Sequence, residues 1–249
     1  TYLMLIALLL VSQIYFGSIA SVAADDTEHT YVVFQDDFED GEAGDWTINI
    51  PDEAPLGSSW AVEPDDGNYV LSERYQTWAK AGDLAWTNYT FEIKFKLIRC
   101  AGGQVSVRVD EPAGRYMLDF HCGGMNLHKD CPMGTFHDIK STETIFNLNK
   151  WYALKIVCVG NTIEVHVNNV LKFSYVDNED PLLYGEIILE SGPESRIYYH
   201  DVKVSTTHRL YVAHLIKEAQ DEIDAAEMVD ADTSEAKRKL AEAQAAFDD

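Results

Sequence analysis

Between Tyr31 and Ser205 apolar and polar residues alternate in short runs, broken by clusters of Gly, Asn, Asp and Pro, with no helical stretch of useful length. A period of two places successive side chains on opposite faces of a strand, so the pattern predicts an all-β unit of short antiparallel strands. The clearest runs are Tyr31–Phe38, Tyr69–Leu71, Tyr89–Ile98, Gln104–Val109, Arg115–His121, Trp151–Cys158, Thr162–Val167, Leu171–Tyr175, Glu186–Leu189 and Arg196–Val204. Gly160-Asn161 and Asn168-Asn169 tolerate positive φ and mark two tight hairpins. From about His208 the spacing changes. Leu210, Ala213, Leu215/Ile216, Ala219, Ile223 and Ala226 recur at helical steps, and Asp232-Thr233-Ser234-Glu235 supplies cap oxygens for a second helix carrying Ala236, Leu240, Ala243 and Phe247. This helical hairpin, 206–249, has a narrow Ala-rich stripe and reads as truncated.

At the other end Tyr2–Ala24 is apolar and uncharged, then gives way to Asp25, Asp26 and Glu28. Leu3–Val11 followed by Ser21-Val22-Ala23-Ala24 fits a signal peptide cleaved after Ala23 or Ala24. The same N-terminal hydrophobic helix is long enough for a retained membrane anchor or for the shaft of an exported filament. The expected organisation is therefore 1–24 signal peptide or membrane/assembly helix, 25–30 linker, 31–205 β unit and 206–249 hairpin, with the bulk of the chain outside the cytoplasm.

The 249 residues carry 19 Lys and Arg against 42 Asp and Glu, a net charge of −23. Such a field repels phosphate backbones and anionic lipid, which argues against nucleic acid as a partner and leaves membrane association to a terminal anchor. It suits an extracellular protein that meets neutral sugars or divalent cations. A hydrophobic fraction of 46% excludes a wholly disordered or collagen-like chain. The four cysteines of an exported chain are expected to form disulfides with three possible connectivities, and the hairpin turn at 111–114 brings Cys100 towards Cys122. Their spacing disfavours a zinc site, the eight His are scattered, and Asn88-Tyr89-Thr90 is an N-glycosylation sequon.

The order FQDDFEDG…DWTI (34–48), WAVEPDDGNYVLS (60–72), WTNYTFEIKFKL (86–97), VSVRVDEPAGRYMLDF (105–120), NKWYALKIVCVGNTIEVHVNNVLKFSY (149–175) and GEIILESGPESRIYYHDVKVS (185–205) resembles the concanavalin A-like jelly roll. It is closest to laminin-G-like domains and the 3-keto-disaccharide hydrolase domain family. The resemblance implies a sandwich of two antiparallel sheets whose concave outer face receives saccharide. It also implies a structural calcium tying the first strand to the last. Asp37 and Asp201 occupy the matching places, with Glu39, Asp40, Asp36 and the Gly41 carbonyl as further oxygen donors.

Strict alternation puts Val105, Val107 and Val109 on the core face of one strand, and Tyr116, Leu118 and Phe120 on that of the next. Arg108, Asp119 and His121 are then expected on the opposite face, positioned to hydrogen-bond sugar hydroxyls, with Trp78, Trp86 and Tyr75 as stacking rings. Trp46, Trp60 and Trp151 read as core. The E-x-D-x-x-E strand of laminarinase-type relatives is absent; Glu186, Glu190 and Asp119 with His121 are the nearest approaches. The segment Ala101-Gly102-Gly103-Gln104 also departs from the N-S-G-like pattern of the hydrolase family. The reading is therefore a non-catalytic saccharide-binding module of a cell-surface or secreted protein. The alternatives are a glycoside-cleaving enzyme of the 3-keto-disaccharide hydrolase kind, and a self-assembling structural subunit of a surface layer or extracellular filament.

Overall fold

A computed structural model of the chain describes residues 30–192, 194–207, 209–229 and 231–248. The expectations for 1–24 lie outside the described residues. Among those described, fifteen strands form two antiparallel sheets. The first runs β13 (Val170–Val176), β12 (Thr162–Val167), β11 (Trp151–Val159), β6 (Tyr89–Leu97), β15 (Arg196–Thr206), β4 (Asn68–Arg74), β3 (Ser59–Asp65), with β1 (Tyr31–Asp36) also pairing with β15. The second runs β10 (Phe136–Thr142), β9 (Gly124–Asp130), β8 (Gly114–His121), β7 (Gly103–Asp110), β14 (Glu186–Ser191), β5 (Trp78–Ala81), β2 (Thr47–Asn49). The jelly-roll sandwich expected from the sequence is the observed architecture.

The hairpin turns fall where the sequence places them. Gly160 (φ 52°) leads the β11–β12 turn, and Asn168 and Asn169 (φ 50° and 63°), a positive-φ pair that matches strand twist, link β12 to β13. Five strands were not among the clear runs: β2, β3, β5, β9 and β10. β3 carries Pro64 and two acidic residues; β5 has only Ala inside; β10 is an edge strand with most side chains exposed. In β9 the alternation is present, with Met125 and Leu127 inward and Asn126 and His128 outward, but it begins behind a Gly-Gly pair and spans few residues.

The core between the sheets is aromatic. Phe95 packs on Phe120 at 4.3 Å between ring centroids, and Phe146 and Tyr152 close the cluster at 5.0 Å from each other. Gly103 is required here, because a Cβ would lie 2.2 Å from Ile197 Cδ1 and 2.8 Å from the Phe120 ring. Trp46 is buried as expected, but Trp60 and Trp151 are only half-buried. Trp151 lies on the outer side of the first sheet under Lys96 Nζ, 4.9 Å from its ring. Cys100 and Cys122 are bridged, while Cys131 and Cys158 are free thiols, so the expectation of further disulfides does not hold.

The C-terminal segment from Thr207 is a compact unit separate from Val32–Thr206. It holds α1 (Arg209–Glu227) and α2 (Ser234–Asp248). Ile216, Ala219, Ile223, Ala236 and Leu240 form its small core, and Asp232 caps α2 by accepting the Ser234 N–H at 3.0 Å. Among the described residues no helix is long and apolar enough to cross a membrane.

Candidate saccharide site on the outer sheet face

The register of the second sheet aligns one residue from each of its seven strands in a single row across its outer face. Asn49 stands opposite Trp78, Trp78 opposite Glu190, Glu190 opposite Gln104, Gln104 opposite Asp119, Asp119 opposite Asn126, and Asn126 opposite Ser141. Directly opposed residues of antiparallel strands project to the same side, so seven side chains line one track. Every one of them is exposed or half-buried. In the adjacent row of the same face Ile188, Ser106 and Met117 are buried.

Beside the row, on the same face, lies an ion-pair network that engages its carboxylates. Arg115 donates to Glu190 Oε2 at 2.5 Å and to Asp130 at 3.1 Å, and Ser106 Oγ donates to the same Glu190 oxygen at 3.3 Å. Asp130 in turn accepts the backbone N–H groups of Gly134 and Thr135. Burial raises the Glu190 carboxyl above its ordinary range, and Arg115 and Ser106 offset this only in part. Further along, Asp119 accepts the backbone and side-chain N–H of Asn126 at 3.1 and 2.8 Å, while His128 sits between Asp119 (3.2 Å) and Asp138 (2.8 Å). Burial alone would raise Asp119, yet the hydrogen bonds from His128 and Asn126 win and hold it below the usual carboxylate range. His128 is raised by its bond to Asp119, against its own burial. Lys80 is committed to Glu186 at 3.1 Å and Glu111 at 3.6 Å. Rigid acceptors of this kind suit hydroxyl ligands, because little side-chain entropy remains to be lost on binding.

The structure brings Asp119, His121 and Trp78 to this face but not Arg108 or Trp86. His121 is exposed at the end of β8, its Nδ1 accepting the Gly123 N–H. Arg108 is a correction to strict alternation. The β7–β8 register shifts between Val107 and Asp110 and Arg108 adopts φ 52°, a β-bulge that turns its side chain inward. It is fully buried, donating from Nη1 to the Leu182 carbonyl at 2.8 Å, with Nε and Nη2 unpartnered. Trp86 is likewise core, 3% exposed, packed edge-on against Tyr89. Asn126 and His128 were missed because β9 was not read as a strand. Glu190 was weighed only as a catalytic carboxylate.

The acidic residues expected to hold calcium are engaged in other contacts. Asp37 and Asp40 each accept a local backbone N–H, from Glu39 and Glu42. Asp201 is paired with Lys94 at 2.5 Å and with His200, and Glu39 with His200 at 3.0 Å. Asp36 points elsewhere, accepting from Trp46 Nε1. Among the described residues no group of three or more His, Cys, Asp or Glu side chains is placed to hold a metal.

Solved structures share the fold at low identity. A carbohydrate-binding module, CBM66, from Bacillus subtilis aligns at 15% identity and TM-score 0.52 over 65% of this chain and 96% of that one. Domain 4 of AbnA, an extracellular GH43 arabinanase from Geobacillus stearothermophilus solved in complex with arabinotriose, aligns at 14% and 0.52 over 71% and 92%. A Bacteroides ovatus GH16 enzyme of mixed linkage glucan aligns at 12% and 0.54 over 69% and 99%. Comparison with curated proteins gives no match. The model of one family, described as the 3-keto-alpha-glucoside-1,2-lyase-like domain, matches residues 33–205, the whole sandwich that carries the outer-face row. The chain belongs to that family.

Proposed function

We propose that the protein is an extracellular, non-catalytic saccharide-binding module whose ligand lies on the outer face of the second sheet, over Trp78, Glu190, Gln104, Asp119 and Asn126. One observation carries the reading: the Asp119 and Glu190 carboxylates are held by His128, Asn126 and Arg115 with 27% and 13% of their side-chain surface still exposed, in a row that includes an indole. Fixed acceptors match paired hydroxyls, and a ring covers the apolar face of a pyranose. The family membership, the likeness of fold to a carbohydrate-binding module and the Cys100–Cys122 bridge, which suits an oxidising compartment, support it. A glycan array compares the parent protein with Trp78→Ala and Asp119→Asn, each checked by thermal melting. Loss of the parent's hits in both folded variants is expected; unchanged hits in both overturn the reading.

A second reading, acid–base chemistry on a keto-sugar of the kind in the family's description, is favoured by His128 between two carboxylates, Asp138 being nine-tenths exposed and easily displaced. Incubation with a 3-keto-glucoside, followed by product analysis for the parent and His128→Gln, separates it from binding alone. Product formed by the parent and lost in the variant establishes the second reading.

A further inference from the structure

We infer that the ligand is the interior of a linear, uncharged oligosaccharide of about five or six units laid across the strands, not a mono- or disaccharide held in a pocket. This rests on the saccharide reading of the same face and adds to it the length, charge and direction of the ligand. The length comes from register. The row runs from Asn49 on β2 to Ser141 on β10, the two edge strands of the sheet, through six interstrand steps of about 4.8 Å, or roughly 29 Å in all. One such step is close to the advance of one sugar in an extended chain, so a polymer crossing the strands meets a new polar side chain at each unit.

The openness comes from exposure. Asn49 and Ser141 are both exposed, and among the described residues no strand pairs beyond either, so the row runs out to both edges of the sheet. The charge comes from the census of the face. The row contains two carboxylates, amides, a hydroxyl and an indole and no cation. Of the basic side chains on this face, Lys80, Arg115 and His128 are each already paired with carboxylates, and His121 at the end of β8 accepts the Gly123 N–H. A uronate or sulfated chain would meet fixed negative charge with Lys80, Arg115 and His128 already engaged.

Calorimetry with size-graded cello-, laminari- and arabino-oligosaccharides of about two to eight units, and with oligogalacturonides of the same lengths, tests the inference. Affinity should rise by roughly tenfold or more from the disaccharide to about five or six units and then level off, with the oligogalacturonides failing at every length. Asn49→Ala and Ser141→Ala, at the two ends of the row, should weaken the hexasaccharide and leave the trisaccharide unchanged. A disaccharide that binds as tightly as the hexasaccharide, or an oligogalacturonide that binds as tightly as a neutral chain, overturns this inference and leaves the saccharide reading standing. Failure of every chain of every length overturns both.

Discussion

Asp119 and Glu190 flank Gln104 on one sheet face, each directly opposite it across a strand pair, so two carboxylates bracket a single amide. Their strands are two steps apart, about 9.6 Å, and Glu190 leans away towards Arg115 while Asp119 is turned towards Asn126 and His128. Retaining glycosidases hold their two carboxyls about 5–5.5 Å apart. The arrangement therefore differs from the close carboxyl pair of a retaining glycosidase.

Arg115 is the keystone of that arrangement. It is 8% exposed and faces Glu190 and Asp130 at once. Removing one partner of a buried ionic group leaves the others uncompensated and typically costs about 3–5 kcal/mol. Arg115→Ala is expected to lose stability of that order in urea titration, with saccharide binding impaired as Glu190 loses its anchor. A loss below about 1 kcal/mol would show that the network contributes little.

Arg108 behaves in the opposite way. Its guanidinium is buried with Nε and Nη2 unpartnered, and an uncompensated buried charge is replaced at little cost by an apolar side chain of similar length. Arg108→Met is expected to match or exceed the parent in denaturant midpoint, and to bind saccharide with unchanged affinity. A large destabilisation would mean that the single bond to the Leu182 carbonyl outweighs the cost of burying the charge.

Two carboxyls make stability depend on pH in one direction. Burial pushes Glu73 well above its ordinary value, and burial, opposed by hydrogen bonds from Phe38 and Trp46, pushes Asp36 up to about 6. For a group raised on folding, the contribution to stability is full below the unfolded pKa and is lost as pH rises through the folded one. Stability should fall between about pH 4 and 6 from Asp36, and continue to fall above that range from Glu73. Glu73→Gln keeps the shape and removes the titration, so it should stabilise the protein near and above neutral pH and not below about pH 4. Melting curves of the variant and the parent that stay parallel across pH 4–8 would contradict this.

The disulfide closes a loop with a sequence separation of 22 residues. In the chain-entropy account a loop of that size contributes about 3 kcal/mol by restricting the unfolded chain. Cys100→Ser/Cys122→Ser is expected to unfold at lower urea by about that amount, and the parent in reductant to match it. An unchanged midpoint in the double variant would show that the bridge adds nothing to the folded sheet.

Much of the fold was legible because long strands with strict alternation and Asn or Gly turns carry their own signal, as in the run from Trp151 to Val176. The site was legible only where alternation held. Asp119 lies on the outer face because β8 is regular from Arg115 to His121. Arg108, on the neighbouring strand, was misplaced by a bulge of one residue, which a period of two cannot register. Asn126 and His128 sit on a short strand behind two glycines. Glu190 became part of the site through a pairing with Gln104 that is distant in sequence and visible only once the sheet is assembled.

Chemical-shift mapping of a saccharide titration tests the central claim most directly. Trp78 on the second sheet and Trp151 on the first are both half-buried indoles on outer faces, so each reports on its own sheet. The expected result is movement of the Trp78 indole and of the Gln104 and Asn126 side-chain amides, with Trp151 unmoved. Movement of Trp151 with Trp78, Gln104 and Asn126 unchanged would place the ligand on the other sheet and contradict the account.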